Sequence, residues 1–478
     1  MNDIEIGLEL PSREWITGTT YQVTVRLKNN AGASFDAPAA VAPGPFEFSF
    51  HPADPTQPVH VVSARKAARA TDPDSAPFPD PTAPLAAGAA KAYPQDLAEQ
   101  AIPPVPPGEY TVTVNLVGNR EKQSSPQRVK VSSPQVRVLN AVVGPTEHRL
   151  ALAFTHVPLE GPVQLLQRES IPGNPVAGVI HRRRDFKDRE ALVEIAPAIE
   201  LYWNRGIRWF GWLQGTSLGG GLAEEGSLYV DCTPVTIPLR APRLASAGWQ
   251  VSAESAIFAA LGVDSRSKVS LAWVEFNAKG EGTVKTAELA ESIMPQLWAV
   301  SFDPTARRFD VVTAHQSSGV LLLVRQSVAL DGKVSPPVKV GEGNWPLAAL
   351  AMDPLAGDGP RVVDALFGPS GEKQTMRLFR FPEAGGEALS TVTFDLAKRE
   401  EKHPVAEQWA LGSTTLAEQV MFYKLGDRLL SRFGSAGSSN MITERVEKAA
   451  NLRVAVVGRD VWGIWTDPIS GLMLRRLR

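Results

Sequence analysis

The sequence predicts an all-β protein, and three features carry that expectation. In the N-terminal part, apolar and polar residues alternate with period two: Ile4, Ile6, Leu8 and Leu10, then Tyr21, Val23, Val25 and Leu27, then Phe46, Phe48 and Phe50. Such a strand has one buried face and one solvated face, as in an antiparallel sheet packed on one side. In the C-terminal part, Trp249, Trp298, Trp345 and Trp409 stand 49, 47 and 64 residues apart, each near the head of a strand–turn–strand pattern. Between the apolar runs lie turn formers such as Asn29-Asn30-Ala31-Gly32 and Asp331-Gly332. Asp-Gly between alternating strands is a strong local hairpin signal.

Taken in order, residues 1 to about 66 read as strands, the last around Val59 and Val61. From 66 to 107 the composition shifts to Ala, Pro and Asp, as in ATDPDSAPFPDPTAPLAAGAAKAYP and IPPVPP. Proline at this density removes backbone donors and favours extended, solvated chain. With few large apolar groups to offset its ordering entropy, most of the segment is expected to be a long, partly disordered loop. A short helix is expected near Asp96–Gln100. Strands resume in PGEYTVTVNLVG and QRVKVSS, where Tyr110, Val112, Val114 and Leu116 alternate behind Pro-Gly. This stretch resembles a late strand of an immunoglobulin-like domain, whose tyrosine hydrogen-bonds back to a neighbouring loop. The resemblance spans about residues 3–133 and lacks the cysteine pair. It implies a sandwich over 1–135 that carries 66–107 as an insertion.

After Ser133-Pro134 a repeating unit takes over. The clearest copy runs WAVSF, a turn at DPTAR, FDVVTAH, a turn at SSG, VLLLVRQSVAL, Asp331-Gly332 and a last strand ending PPVKV. Trp249, Trp345 and Trp409 open similar copies, LRVAVVG begins a final one of three strands, and two less regular copies lie around RLALAFTHV and Ile207–Trp212. Seven units result. A period of about 40–50 residues built from short strands resembles the blades of a β-propeller, in period only, without Trp-Asp, kelch or aspartate-box signatures. The expected architecture is an immunoglobulin-like β-sandwich followed by a seven-bladed β-propeller over 136–478. In it, 136–143 (VRVLNAVV) lends the last blade its missing strand, since an unpaired edge is a liability. The blade-start tryptophans read as packing between neighbouring blades.

Composition narrows the function. Over 478 residues the net charge is −2, with 43% hydrophobic and 21% charged residues, so the overall field favours neither nucleic acid nor an anionic membrane. Cys232 is the one cysteine, which rules out an intrachain disulfide and fits a reducing compartment. The start, MNDIEIGLELPS, lacks the basic and apolar regions of a signal peptide. No window approaches the roughly 18 apolar residues of a membrane span. A soluble cytoplasmic protein is expected, and the Ala/Pro/Arg usage points to a bacterial source.

The candidate chemistry is sparse. Gly215-Thr216-Ser217-Leu218-Gly219 matches the serine-hydrolase pattern, but it runs on into Gly220 and Gly221 between strand-like segments and reads as a hairpin turn. No two of the seven histidines lie at metal-ligand spacing, and Asp72, Asp74 and Asp80 sit among prolines without the glycine and glutamate of a calcium loop. Neither cofactor nor metal is expected. The densest charge is the run His181–Arg189, basic but interleaved with acids, and near it lie Tyr202 and several tryptophans and arginines. Rigid aromatics with arginine are the residue types enriched at interfaces, which nominates Arg182, Arg183, Arg184, Trp203, Arg205, Arg208 and Trp209 for partner binding. The expected function is a non-enzymatic scaffold or adaptor for other proteins, in one version a subunit of a larger bacterial assembly, with the oligomeric state open. The alternative is a propeller-type glycan hydrolase or lyase, with acids such as Asp310, Glu275 and Asp364 converging on a central funnel.

Overall fold

The computed structural model is all-β, apart from the four-residue helix Leu97–Gln100 among the described residues. It describes residues 4–478 except stretches in the connections, the longest being 40–44, 65–81, 144–149, 170–179, 187–191, 200–206, 216–225, 291–296, 355–360, 397–407 and 435–439. Across 192–230 the strand pairing is described and the side chains, Ile195 apart, are not. The chain divides into two compact units, 1–135 with 166–184 and 136–165 with 185–478.

In the first unit, the strands Ile4–Glu9, Gln22–Asn29 and Ala90–Asp96 form one sheet. A second sheet holds Phe46–Pro52, Gly108–Leu116 and Gln127–Ser132 at its centre. The two inner faces share one core: Val23, Val25, Leu27 and Tyr93 from the first, Phe46, Phe48, Phe50, Val112 and Val114 from the second. The three phenylalanines are 0% exposed, and each such ring contributes about 1.5–3 kcal/mol by leaving water. Trp15 stacks on Tyr21 with centroids 5.3 Å apart, and its indole N–H donates to the Thr19 carbonyl at 2.7 Å. Tyr110 donates its hydroxyl to the Pro106 carbonyl at 2.9 Å.

The Pro/Ala-rich segment departs from the expected loop. Although 65–81 lies outside the described residues, Thr82–Leu85 pairs with Phe35–Pro38, and Ala90–Asp96 pairs along Gln22–Asn29 with Tyr93 opposite Val25. Tyr93 is fully buried and donates to the Pro38 carbonyl at 3.0 Å. Two inward residues, Tyr93 and Gln95, anchor the strand. Pro94 is exposed between them, on an edge strand that tolerates a missing donor. The helix near Asp96–Gln100 forms where expected, with Leu97 in the core.

Between 136 and 476 the described strands fall into seven sheets in chain order: 136–186, 192–236, 240–288, 298–343, 347–395, 408–443 and 450–476. Consecutive strands are neighbours except in 240–288, where Arg240–Leu244 and Trp249–Ser252 both pair with Ser255–Val263, so the commonest connection is a hairpin. Ser317 pairs with Val320 across Ser318-Gly319, both at positive φ, the conformation that a two-residue hairpin needs. Asp331-Gly332 also turns the chain: the Gly332 N–H donates to the Ala329 carbonyl and the Lys333 N–H to the Asp331 carboxylate.

One expected pairing is corrected. Val136–Val143 is not a fourth strand of the last sheet: it pairs antiparallel with Leu150–His156 as the first strand of the first sheet, and the last sheet has three strands. The physical reason is local. A hairpin partner a few residues away is reached at little loop-closure cost, and Leu150–His156 is buried along its whole length. The two ends of the series still meet, because the Asn451 amide donates to the Arg137 carbonyl at 3.3 Å.

Candidate functional site

The first strands of all seven sheets line one cavity of about 550 Å³. Small and aliphatic residues make up most of that lining, including Ala299, Leu350, Ala410 and Val454. Asn140 joins the first two of these strands: its amide donates to the Ile195 carbonyl at 2.8 Å, while its side-chain oxygen accepts the Ala141 N–H at 2.8 Å. The ionisable residues of the lining, among the described residues, are Arg243 and Arg453. Arg453 donates to the Leu452 carbonyl at 2.8 Å. Sequence reasoning missed both arginines; the available signal was an arginine flanked by apolar residues within a first strand, in RAPRLA and NLRVAVV.

The four spaced tryptophans divide between two roles. Trp249 packs across to the following sheet, with centroids 6.0 Å from Phe302 and 5.8 Å from Phe309. Trp298 and Trp409 each combine packing with an edge on the cavity, and Trp409 stacks on Tyr423 at 4.7 Å. Trp345 lies off the cavity, with the Arg377 guanidinium 4.2 Å above its ring.

The acids named for the enzymatic alternative do not line the cavity. Asp310 is fully buried, accepts from Arg361 at 2.7 Å and from the Ser327 hydroxyl at 2.5 Å, and has Arg325 at 3.5 Å. Asp364, also buried, takes Arg380 in a two-point pair at 2.9 and 2.7 Å and the Gln419 amide at 2.8 Å. Each therefore ties its own sheet to the next, Asp310 through Arg361 and Asp364 through Gln419. Glu275 is partly exposed with Arg307 at 3.9 Å.

The residues nominated for partner binding are only partly described. Arg182, Arg183 and Arg184 lie on the strand Ile180–Phe186, where Arg184 is half-buried and the side chains of the other two are outside the described residues. Arg208 and Trp209 lie on the strand Ile207–Gly215, with Trp209 opposite Ala198, and their side chains are likewise outside. Trp203 and Arg205 fall wholly outside, as do Cys232 and the Asp72, Asp74 and Asp80 group. Gly215, which opens the serine-hydrolase-like motif, pairs with Gly226, and the rest of the motif lies outside the described residues. Among the described residues no cluster of three potential metal ligands occurs, and no helix is long and apolar enough to cross a membrane.

No protein-family profile and no curated protein sequence matches the chain. Among solved structures it is similar to the SapL1 lectin in complex with alpha methyl fucoside, at 9% identity over 65% of this chain and 97% of that one, with a TM-score of 0.35. It is also similar to a mutant of the Synechocystis apocarotenoid oxygenase, at 10% identity over 60% of this chain and 68% of that one, with a TM-score of 0.37. Both likenesses are too distant to bear on function.

Proposed function

We propose that the chain is a non-enzymatic binding module of the cytoplasm, an immunoglobulin-like sandwich followed by a seven-bladed propeller that presents its cavity mouth to another protein. The ring reading draws support from the seven first strands around one cavity and from the Asn451 hydrogen bond to Arg137, between the last first-strand and the first. The sandwich reading draws support from the Tyr110 hydroxyl bonded four residues upstream. One observation carries the function: Asp310 and Asp364 are spent on sheet-to-sheet clamps, whereas the cavity offers two arginines, two tryptophan edges and an aliphatic wall. Arginine and tryptophan are the anchors that protein interfaces favour, while glycoside cleavage needs a pair of acids at the scissile bond.

The test is an affinity pull-down from the native host with the wild type beside an Arg243→Gln/Arg453→Gln variant. One protein held at stoichiometric amount by the wild type and lost by the folded variant is the expected result. The proposal is overturned if both forms come down alone, or if the purified chain cleaves a glycan.

A further inference from the structure

Beyond the cavity, the junction of the fourth and fifth sheets holds a smaller pocket of about 220 Å³, lined by Glu342, Asn344, Trp345, Phe367, Arg377 and Phe379 together with the backbone of Gly343. Drug-sized sites start near 300 Å³, so this one has room for a single side chain or ring. Its floor is aromatic: Phe367 and Phe379 meet edge to face at 5.7 Å, and Phe379 stacks on Phe381 at 5.6 Å. The strand Val338–Gly343 reaches that floor because a Cβ on Gly343 would lie 2.5 Å from the Phe367 ring, and one on Gly341 2.5 Å from Phe381.

The rim is rich in donors. Arg377 lies on the Trp345 face and, among the described residues, has no acid or carbonyl within bonding range. A guanidinium stacked on a ring keeps its in-plane N–H groups for other partners, the arrangement that takes a carboxylate in a two-point bond. The Trp345 indole N–H and the Asn344 amide add donors at the same rim. The single acid of the lining, Glu342, is bonded to Lys339 at 2.7 Å, which offsets its repulsion of an incoming anion. Three other arginines of these two sheets are tied up: Arg325 donates to the Glu383 carbonyl at 2.9 Å and to the Ser327 hydroxyl at 3.0 Å, and Arg361 and Arg380 to aspartates.

We propose that this pocket binds a carboxylate carried next to one bulky apolar side chain, the chemistry of a peptide's C-terminal residue. The side chain rests on Phe367 and Phe379, and the carboxylate is held by Arg377. This site is separate from the cavity and does not depend on the adaptor reading above.

The matched probes are N-acetyl-L-phenylalanine and its amide, titrated calorimetrically into the full chain at low salt, with saturation-transfer NMR as a second readout. The acid is expected to bind with a dissociation constant on the order of millimolar, as suits a ligand of its size, and the amide about tenfold more weakly. Arg377→Gln, an exposed change, is expected to bring the acid down to the level of the amide. Trp345→Leu is expected to weaken the acid, and added salt to do the same in the wild type. Equal binding of acid and amide, an unchanged constant in Arg377→Gln with the wild-type melting curve, or no binding of either probe overturns the proposal.

Discussion

Arg377 and Arg380 sit three residues apart on the strand Thr375–Pro382, and their environments are opposite. Arg380 is 6% exposed and grips Asp364 with two nitrogens. Arg377 is exposed and lies on an indole, and among the described residues it has no acid within bonding range. Odd and even positions of a strand face opposite sides, so one arginine enters the junction with the sixth sheet and the other the pocket edge toward the fourth. Their lesson is that the residue type alone does not mark a binding site. A guanidinium satisfied by a buried aspartate is part of the frame, and one that is held flat with its donors uncommitted is available to a ligand.

The largest break in this comparison comes from the clamp side. Asp364→Ala leaves Arg380 and the Gln419 amide buried without their acceptor, and removing one member of a buried pair costs about 3–5 kcal/mol. A clear drop in the urea midpoint of the C-terminal unit is the expected result. A midpoint within error of the wild type removes the structural role assigned to the clamp. The pocket floor comes next. Gly343→Ala forces a methyl against Phe367, and overpacking of this kind costs about 1–3 kcal/mol. The same variant is expected to weaken N-acetyl-phenylalanine binding, because the ring it displaces is the floor.

How much of this was legible beforehand depends on which faces of a strand are wet. In the first unit one face is solvated, so Val23, Val25 and Leu27, or Phe46, Phe48 and Phe50, show their burial as period two. Ala90–Asp96 was hidden because two inward residues among prolines and alanines are too few to register as a pattern, although Tyr93 fills a core position. In the later sheets the middle strands are covered on both sides: Ser255–Val263 is buried at every position but its ends. Continuous apolar runs give the number of strands but little about which neighbours they meet. The clamps were invisible for a different reason. Asp310 and Arg361 are 51 residues apart, and no local spacing relates them. Trp345 and Arg377 likewise meet only across three strands of the fifth sheet, where Leu347 pairs with Phe367 and Phe367 with Arg377. The run at 181–189 is conspicuous by its density, whereas Arg243, Arg453 and Arg377 stand among apolar neighbours with no charge run to mark them.

Acid exposes a weaker contribution on the clamp side. Asp303 accepts the Ala306 N–H at 2.9 Å and the Thr305 N–H at 3.0 Å, with Arg361 3.7 Å away. The Ala306 bond is the largest influence and burial, which opposes it, the next; Arg361, the Thr305 bond and Arg308 add to the Ala306 bond and hold the carboxyl below the ordinary 3.8. A lowered folded-state value means the stabilisation is complete above 3.8 and is lost as the pH falls through the folded value. Asp303→Asn keeps the side-chain oxygen and removes the charge. Its melting temperature is expected to lie below that of the wild type near pH 6, and the gap to close as the pH falls below 3.8 through the lowered folded value. A gap that is constant with pH removes the charge from the account.

The smallest effect is the one that discriminates best. If Arg377 is held by Trp345 and by nothing else, a double-mutant cycle between Arg377→Met and Trp345→Leu measures the stacking alone, about 0.5–1 kcal/mol for an exposed cation over an indole. Each single change is also expected to be mild, since the surface position carries no buried pair. A clear residual cost of Arg377→Met in the Trp345→Leu background would mean that Arg377 is engaged by more than the indole and that its donors are not uncommitted, which would make it a second frame arginine like Arg380. A coupling of zero would mean that the guanidinium is not fixed on the ring, and a carboxylate would then have to bear the cost of ordering it. A coupling in the expected range with no residual cost leaves Arg377 both fixed and uncommitted, the two conditions a two-point carboxylate bond requires.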